Sequence, residues 1–449
     1  MCWLAIAVAM LMRHGSSASP VQQLYVEVMA TSAEKRRRIT DLRARLPYIS
    51  QAALAAVCAE AAREPLPTIG SRHLIFEAEV DVLNTLTPYG TLVQEFEVQP
   101  GLSISLLHPA ALLSHLAGSA ASISAMLGNL LSETVVDPNC PLDIVLYSDE
   151  VTPGNALSYA NKRKTWAVYW SIMQLGPAIL SDEDAWFVLT IIKADVVRDK
   201  IDGHMGAVMR IILEKGFFNE DTHDLSVAGM EVSLMDGSHH RLFFRIGAML
   251  ADEAALHAML SCKGSGGLKV CCLCKNVFNK LESRHIVAGA RGGAVHHTCA
   301  DPALLKRTDL ALIGSIMERL RTAKATMRKI EFEELQTTLG WIYNANTAIA
   351  SARSRSFLDP PRTVMFDWQH CIFVNGCFNT HTALCVIALE AVGISPRLLN
   401  DYIDQFKFPR GLAPYGVFEK RRWLSSKNAG HVSFKLCFRP RNIRPFTCL

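Results

Sequence analysis

Residues 141–150 read PLDIVLYSDE, an apolar run that ends on acidic side chains. Because most of its residues are branched or aromatic, the run predicts a β-strand that Asp149 closes. The stretches KTWAVYWSIMQLG, from residue 164, and AWFVLTIIKADV, from residue 185, have the same character. The sequence therefore predicts three strands in succession.

The chain then alternates between helix and strand. VVRDKIDGHMGAVMRIILEKGF, residues 196–217, places Val208, Ile211 and Ile212 on one helical face. HRLFFRIGAMLADE, residues 240–253, returns to strand character and again ends on acids, before a helix in AALHAML. Three strands, a helix, a strand and a helix are typical of a ribonuclease-H-like α/β fold. In that fold carboxylates from different strand ends meet at one edge of a mixed sheet.

Length and periodicity divide the chain further. Its 449 residues suit two or three domains. Ala- and Leu-rich runs predict helices before the strands, and the stretch from about 302 to 358 is helical again. The predicted parts are a helical N-terminal region over 1–135, the α/β core with a zinc knuckle over 140–300, a helical insertion over 301–358, and the rest of the core with a patternless tail over 359–449.

Composition narrows the class of protein. Half of the residues are hydrophobic and a fifth are charged, which excludes wholesale disorder. The net charge of +4 is too small to indicate a nucleic-acid partner by itself. Thirteen cysteines, odd in number and mostly scattered, favour a reducing compartment. The first twenty residues imitate a signal peptide, but no basic residue precedes their apolar stretch, so a buried helix or a misassigned start codon is favoured, and no membrane span is expected.

Asp149 and Asp252, which close two predicted strands, are the candidate catalytic residues. Carboxylates that meet at a strand edge can hold a pair of Mg²⁺ or Mn²⁺ ions. One ion activates a water or a 3′-hydroxyl, and the other stabilises the leaving oxygen of a phosphodiester. Glu150 and Glu253 are neighbours that would substitute for them. The alternative is structural, because Asp252 also stands where it would cap the following helix.

A second candidate site lies in VCCLCKNVF, residues 270–278. Cys271 and Cys274 form a C-x-x-C pair, a spacing that lets two thiolates bind one tetrahedral Zn²⁺ from a tight turn. The preceding GSGGLK supplies the flexible backbone that such a turn needs. Buried free cysteine is the competing interpretation, and Cys272 is expected to be structural.

The pair His296 and Cys299, in VHHTC, is the predicted completion of this zinc site. It follows the C-x-x-C pair after 21 residues, and His297 is an alternative to His296. A third element, FDWQH, has Asp367 and His370 three residues apart, on one face if the segment is helical. His370 is a candidate metal ligand, or else a core histidine beside its neighbouring tryptophan.

Four segments together resemble transposases of the CACTA and Kyakuja-Dileera-Zisupton kind: YSDEVTPGNALSYANKRKTWAVYWSIMQLG, GAMLADEAALHAML, VCCLCKNVF and FDWQHCIFVNG. In that family the first aspartate precedes a proline-glycine-asparagine turn, as Asp149 does. The second lies about twenty residues before a C-x-x-C, and Cys271 follows Asp252 by 19. A later D-x-x-H element matches Asp367 to His370. The resemblance covers roughly residues 140–425.

The resemblance implies a chemistry known as DDE. Three acids bind two divalent ions, water cuts the transposon ends, and the freed 3′-hydroxyl attacks target DNA. It also implies a structural Zn²⁺ near the active site, completed either by His370 or by the VHHTC pair. DNA is then the partner, the nucleus is the location, and a homo-oligomer is compatible with the role.

One departure from the family concerns the third acid. The family's catalytic glutamate follows a Phe-Lys step, but here Phe434 and Lys435 lead into Leu-Cys-Phe-Arg-Pro, and no acid follows Glu419. Either Glu419 or Glu390 substitutes, or the third carboxylate has been lost through a frameshift, a splicing error or decay. The sequence thus predicts a transposase-derived protein for DNA strand cleavage and transfer, inactive if the third acid is missing.

The alternative function is a non-catalytic, zinc-stabilised module that binds nucleic acid or protein. Such a module keeps Cys271 and Cys274 but needs neither aspartate. Basic residues near the core are the candidate nucleic-acid contacts under the first prediction, with a solvated charged face as the other interpretation. These basic residues are Lys162, Arg163, Lys164, Lys420, Arg421 and Arg422.

Overall fold

The computed structural model describes residues 80–151, 164–281, 293–372 and 377–405, together with Arg37. The chain divides into two compact units, Met1–Glu79 and Val80–Leu449, and every described residue except Arg37 belongs to the second unit. The described helices are α1 Pro109–Ser119, α2 Ala121–Glu133, α3 Gly176–Leu180, α4 Ala194–Asp199, α5 His204–Ile211, α6 Glu253–Leu260, α7 Leu310–Thr326, α8 Lys329–Leu339, α9 Ala352–Phe357, α10 Pro360–Thr363, α11 Trp368–Ile372, α12 Cys377–Ala391 and α13 Pro396–Gln405.

Five of the described strands form one mixed sheet. They are β1 Leu142–Val151, β2 Thr165–Ile172, β3 Phe187–Lys193, β4 Phe244–Ala251 and β5 Val364–Phe366. Their order across the sheet is β5-β4-β1-β2-β3. β2 runs antiparallel to β1 and β3, whereas β4 runs parallel to β1 and β5. The prediction of a mixed α/β fold is confirmed, as are the four longer strands, and the three-residue β5 is an addition.

Side chains alternate along β1 because successive residues of a strand point to opposite faces. Ile144 and Leu146 are buried on one face, and Tyr147 is only partly covered on the other. The register pairs Leu146 with Trp170 of β2, whose indole meets the ring of Phe217 edge-on at 5.4 Å. A buried side chain of this size contributes roughly 1.5–3 kcal/mol. The buried face of the sheet is therefore fixed by its apolar register.

The connection from β3 to β4 contains the predicted amphipathic helix, but the helix is broken in two. α4 ends before Gly203, which has a φ of 90° and precedes α5. Glycine adopts this left-handed conformation without the steric cost that other residues meet. α5 buries Met205 and Val208 and continues into a π-helical turn over Ile212–Phe217. The predicted helix is confirmed in α5, and the interruption between α4 and α5 contains Gly203.

The predicted helical region over 1–135 is wrong for residues 86–107, which form strands. Val93–Gln99 and Leu102–Leu107 pair antiparallel around Pro100 and Gly101, where Gly101 has a φ of 76°. The proline-glycine turn and the alternation of VQEFEV outweigh the helical propensity of the leucines. α1 and α2 confirm the helices predicted after this hairpin. The predictions for residues 1–79, including the signal-like first twenty, lie outside the described residues apart from Arg37.

Short ladders complete the described strands. They are Leu86–Thr87 with Gly90–Thr91, Phe218–Asn219 with His223–Asp224, Met230–Ser233 with His239–Leu242, and the parallel pair Val277–Phe278 with Val295–His296. The predicted helical insertion is present as α7, α8 and α9. Asp309 caps α7, whose Ile313 and Leu320 are fully buried. The apolar face of α7 therefore packs into the hydrophobic core of the second unit.

None of the helices in the described ranges is by itself long and apolar enough to cross a bilayer. α1 and α2 reach that length and apolarity only as a pair, with a bend of 101° between them. Both helices also bury residues inside the unit, including Leu113 of α1 and Leu127 of α2.

Candidate active site

Three neighbouring parallel strands end at one level of the sheet. The register pairs Ser148 of β1 with Ala251 of β4, and Ala251 with Phe366 of β5. The residue after each of these three is an aspartate: Asp149, Asp252 and Asp367. Because paired strands lie about 4.8 Å apart, the three aspartates leave the backbone from neighbouring points on one edge. We call them the aspartate row.

Backbone hydrogen bonds hold the row in place. The amide of Asp367 donates to the carbonyl oxygen of Ala251 at 2.9 Å, which continues the β4–β5 ladder by one residue. Asp149 lies inside β1, opposite Ala167 of β2. All three aspartates are half-buried. β4 lies between β1 and β5, so Asp252 is the central member.

Tyr147 lies close enough to the row to feel all three carboxylates. Burial raises the pKa of its phenol far above the ordinary value, and the charges of the row raise that pKa further, Asp149 most and Asp252 least. The phenol ring packs beside Trp186, with ring centroids 6.3 Å apart. Tyr147 therefore stays protonated at neutral pH, and negative charge accumulates on its side of the sheet.

Asp252 has a structural task as well. Its Oδ1 accepts a hydrogen bond from the amide of Ala255 at 2.6 Å, so Asp252 is the N-cap of α6. The capping interpretation from the sequence is confirmed. Because this bond is made to one of two carboxylate oxygens, capping and metal binding are compatible in one aspartate.

The neighbouring glutamates are placed differently from the row. Glu150 lies opposite Trp166 and forms an ion pair with Lys164, with 2.7 Å between Nζ and Oε2. Glu253 is largely exposed in the first turn of α6 and lies 4.0 Å from the Nε2 atom of His257. Strand alternation turns Glu150 away from the face of Asp149. The row therefore gains no fourth carboxylate from Glu150.

One of the six predicted nucleic-acid contacts lies in the described part of the chain. Lys164 is half-exposed beside Glu150 at the start of β2. The other five basic residues, Lys162, Arg163, Lys420, Arg421 and Arg422, lie outside the described residues. Of the two substitute acids, Glu390 lies in α12 and Glu419 is outside the described ranges.

The cysteines around VCCLCKNVF interact in two pairs of free thiols. Cys271 interacts with Cys274, and Cys272 interacts with Cys262, which follows α6. Burial raises the pKa of Cys262 and also that of Cys271, the latter to about 12. The interaction with Cys262 lowers the pKa of Cys272. Cys272 is buried, as its structural interpretation requires, but it also has a thiol partner.

The histidine pair of VHHTC is engaged elsewhere. The ring of His296 contacts Thr298 Oγ1 at 2.7 Å through Nδ1 and the carbonyl oxygen of Asn279 at 3.0 Å through Nε2. His297 stacks on it, with ring centroids 4.2 Å apart. The thiol of Cys299 donates to the carbonyl oxygen of Asp301 at 3.7 Å. His370 belongs to α11, but its side chain lies outside what the structure describes.

Among the described residues, no group of three or more His, Cys, Asp or Glu side chains is arranged to hold a metal ion. The aspartate row is accordingly an open edge, with one carboxylate on each of three strands. Sequence reasoning predicted Asp149 and Asp252 at strand ends, but it treated Asp367 as part of a histidine motif and did not single out Tyr147 or Cys262. The signal for Asp367 was an aspartate directly after the apolar VMF, the same pattern that marked Asp149.

No family model matches the chain, and no curated protein matches it significantly. Its function has to be inferred from the order of the strands and from the side chains at their ends.

Proposed function

We propose that this chain is a transposase-type nuclease with a ribonuclease-H-like core, which cleaves DNA phosphodiesters by two-metal-ion chemistry at the aspartate row. One observation carries the proposal. Asp149, Asp252 and Asp367 follow partnered residues on three adjacent parallel strands. Three carboxylates delivered side by side to one sheet edge form a donor set for hard divalent cations.

The strand order supports the ribonuclease-H-like assignment. β1, β2 and β3 are joined antiparallel, a helical connection follows, and β4 and β5 then add in parallel beside β1. This is the layout that the sequence predicts for carboxylates converging on one edge. In open α/β sheets, sites gather at the carboxyl ends of the parallel strands.

The residues of the row fit Mg²⁺ or Mn²⁺ by their chemistry. They offer only oxygen ligands, they are half-buried, and the sheet fixes their backbones before any ion binds. Bound there, the ions supply the Lewis acidity that activates a water or 3′-hydroxyl and stabilises the leaving oxygen. Asp367 is the third carboxylate of the proposed donor set. Tyr147, held in its protonated form, is available to donate a hydrogen bond beside the row.

The resemblance to CACTA and Kyakuja-Dileera-Zisupton transposases extends this proposal to its partner. Transposon ends and target DNA are the substrates, a structural Zn²⁺ accompanies the core, and the protein acts in the nucleus, with assembly of several copies left open. DNA contact is proposed for the basic residues around β2 and in the tail.

A second candidate function is the non-catalytic binding module. The capping hydrogen bond that the amide of Ala255 donates to Asp252 favours it, because that bond explains one aspartate without any metal. The two functions differ in what the isosteric Asp→Asn change does. Asparagine is as good an N-cap as aspartate, but it is a neutral and weaker ligand for Mg²⁺.

The test uses the full chain with Asp149→Asn, Asp252→Asn or Asp367→Asn. Each change is expected to weaken Mn²⁺ binding at least about tenfold, or ~1.4 kcal/mol. Each should slow divalent-ion-dependent cleavage of duplex DNA by about 100-fold or more, because charge stabilisation by metals contributes several kcal/mol. Mn²⁺ binding is followed by electron paramagnetic resonance and cleavage by gel assay.

Two matched controls separate the site from the fold. Asp309→Asn alters another N-cap aspartate, whose Oδ1 accepts from the amide of Leu312 at 2.7 Å. Asp143→Asn alters a carboxylate on the same face of β1 that binds Arg245. Both should leave Mn²⁺ binding and cleavage unchanged. Wild-type Mn²⁺ binding that survives all three row variants would instead assign the chain to the binding-module class.

A further inference from the structure

One face of the five-stranded sheet has an apolar row that is only partly covered. The register joins Leu250 of β4 to Tyr147 of β1, and Tyr147 to Tyr169 of β2. It extends to Met365 of β5 on one side and to Val188 of β3 on the other. Met365 is 52% exposed, and the other four residues are half-buried. We call these five residues, one on each strand, the apolar row.

The opposite face of the same five strands differs in its burial. There an equally apolar row lies one position away on each strand, and none of its members is more than 8% exposed. Its members, in the order of the strands across the sheet, are Val364, Met249, Leu146, Trp170 and Phe187. That row lies in the core, whereas the apolar row keeps part of its surface in solvent. Exposed apolar surface that extends across neighbouring elements marks an interaction site.

The apolar row runs beside the aspartate row. Tyr147 and Asp149 are two positions apart on β1, so they share a face and lie about 6.6 Å apart along the strand. The other two aspartates follow the β4 and β5 members of the apolar row by the same two positions. A nucleotide whose phosphate lies at the aspartates therefore has its base within reach of the apolar row.

Two tyrosine rings lie at the centre of the apolar row. The ring centroids of Tyr147 and Tyr169 are 6.3 Å apart, and the ring planes meet at 34°. Aromatic side chains on the open face of a β-sheet are a platform on which unpaired bases stack, and such stacking tolerates any base. Bases inside a duplex already stack on one another, so only a base taken out of the duplex presents its ring to this platform.

The charges beside the two tyrosines favour a nucleic acid as the occupant of this face. β2 and β3 contain no acidic residue. Lys193 ends β3 opposite Thr165, at the same edge of the sheet as the aspartate row, and it is exposed. Asp143, near the other end of β1, is paired with Arg245, whose Nε lies 2.6 Å from its Oδ1. On β2 and β3 the phosphates of a bound strand therefore meet a cation and no carboxylate.

We infer that the apolar row binds unpaired bases of a DNA strand whose scissile phosphate lies at the aspartate row, with Tyr169 and Tyr147 as the stacking platform. The preferred substrate is then DNA with a single-stranded segment next to the cleavage point, rather than an intact duplex. This inference rests on the nuclease proposal, because the aspartate row sets where the phosphate lies. Tyr169 acts on the preference for unpaired bases and not on the cleavage step.

Two DNA probes test the inference on the full chain at one fixed salt concentration: a blunt duplex, and the same duplex with a single-stranded tail. The chain should bind the tailed duplex about tenfold more tightly, or ~1.4 kcal/mol, which is the effect of about one stacked base. A 2-aminopurine base in the tail should lose fluorescence on binding. Tyr169→Leu, which keeps an apolar side chain, should abolish both effects, and Tyr169→Phe should keep them. Tyr402→Leu, which alters an exposed tyrosine of α13, is the matched control and should change neither.

The stacking inference and the nuclease proposal fail in different ways. A folded Tyr169→Leu chain that keeps the tail preference, with Mn²⁺ binding and cleavage intact, overturns the stacking inference alone. A wild-type chain that binds the tail through Tyr169 but neither binds Mn²⁺ nor cleaves DNA supports the stacking surface and overturns the nuclease proposal.

Two further measurements cover misfolding and the rival occupant. If Tyr169→Leu does not fold, 5-iododeoxyuridine in the tail is photocrosslinked to the wild-type chain. A crosslink to Tyr147 or Tyr169 supports the inference, and crosslinks confined to other residues contradict it. Self-association that Met365→Lys abolishes while the tail preference stays unchanged would overturn the inference in favour of a second copy of the chain on this face.

Discussion

The aspartate row and the thiol cluster place ligands in opposite ways. Asp149, Asp252 and Asp367 are more than a hundred residues apart in sequence, yet the ladder of a sheet sets their spacing. The four thiols lie within residues 262–274 and depend on a loop. Sheet hydrogen bonds fix the backbone of the row, whereas the thiols interact in two pairs along a loop. The row is preorganised and the cluster is not.

Close to each site lies a glycine whose substitution by alanine, which adds one methyl group, tests whether the two sites are held independently. Gly340, which ends α8, approaches the backbone of Lys269 beside the thiols. Gly247, at an irregularity of the β1–β4 ladder, approaches the side chain of Asp143 below the row. If the two sites are held independently, each glycine substitution should damage one site and spare the other.

Gly340→Ala is expected to have the largest effect. A Cβ here would lie 2.3 Å from the carbonyl oxygen of Lys269, and Gly340 has a φ of 78°. Left-handed backbone costs alanine roughly 1–2 kcal/mol, and overpacking adds about 1–3 kcal/mol. Urea unfolding should therefore show a loss of about 2–5 kcal/mol. Mn²⁺ binding by the row should be unchanged, because Gly340 lies outside the sheet.

Gly101→Ala is the matched control for this substitution. Gly101 has nearly the same φ, 76°, but a Cβ there would meet nothing within 4 Å. It should show the left-handed cost alone, about 1–2 kcal/mol. Equal losses in the two variants would mean that the contact with Lys269 adds nothing to the cost at Gly340.

Gly247→Ala should have an intermediate effect on stability and should displace part of the aspartate row. A Cβ at Gly247 would lie 2.5 Å from Cβ of Asp143, whose carboxylate is tied to Arg245 at 2.6 Å and to Gln174 at 2.8 Å. Because Asp143 is tied down, β4 must move relative to β1. We expect a loss of about 1–3 kcal/mol in unfolding free energy. Displacement of Asp252 should also slow DNA cleavage by up to about 100-fold.

The control for Gly247→Ala is a glycine at which an added Cβ makes only ordinary van der Waals contact. Gly128 lies in α2, and the nearest atom to an added Cβ is Leu234 Cδ1 at 3.6 Å. Gly128→Ala should be neutral or stabilise the protein by roughly 0.5–1 kcal/mol. If Gly340→Ala slows DNA cleavage as strongly as Gly247→Ala does, the two regions are coupled through the fold and the contrast between them fails.

The elements that the sequence predicted correctly are those that a local residue pattern determines. β1 to β4 were readable because each is a run of branched and aromatic residues of ordinary strand length. The hairpin at Pro100 and Gly101 carried an equally local turn signal, which the leucine-rich surroundings obscured. Both aspartates of the first two strand ends followed from the same patterns. Local residue patterns are therefore enough to predict these strands and to place Asp149 and Asp252 at strand ends.

Register and loop closure are not local, and there sequence reasoning stopped. β5 has three residues, too few for periodicity, so the pairing that sets Asp367 beside Asp252 became visible only through the ladder. Cys262 belongs to no motif, and its contact with Cys272 depends on how the loop turns. His296 was a sound ligand by spacing, but Asn279 and Thr298 occupy its ring nitrogens.

Glu214→Gln should have the smallest of these effects, and it sharpens how Asp367 is positioned. Burial acts to raise the pKa of Glu214, but hydrogen bonds from Ser351, Ser354 and Arg210 outweigh it, so the net pKa is lowered. The two serines begin the segment that leads through α9 to β5 and Asp367. Glutamine would turn an amide donor toward Arg210 or the serines. The expected loss at pH 7 is about 1 kcal/mol in unfolding free energy.

The sign of the pH dependence follows from the lowered pKa of Glu214. A carboxylate whose pKa is depressed by folding stabilises the protein above its unfolded value, here 4.5, and loses that contribution as pH falls through the folded value. The gap between wild type and Glu214→Gln in urea unfolding should therefore be full at pH 7 and shrink below pH 4.5. Glu331→Gln, which removes an exposed carboxylate paired with Arg328, is the matched control and should show no resolvable gap at pH 7. A gap for Glu214→Gln that stays constant down to acid pH would mean that the side-chain volume, and not its charge, anchors the segment before Asp367.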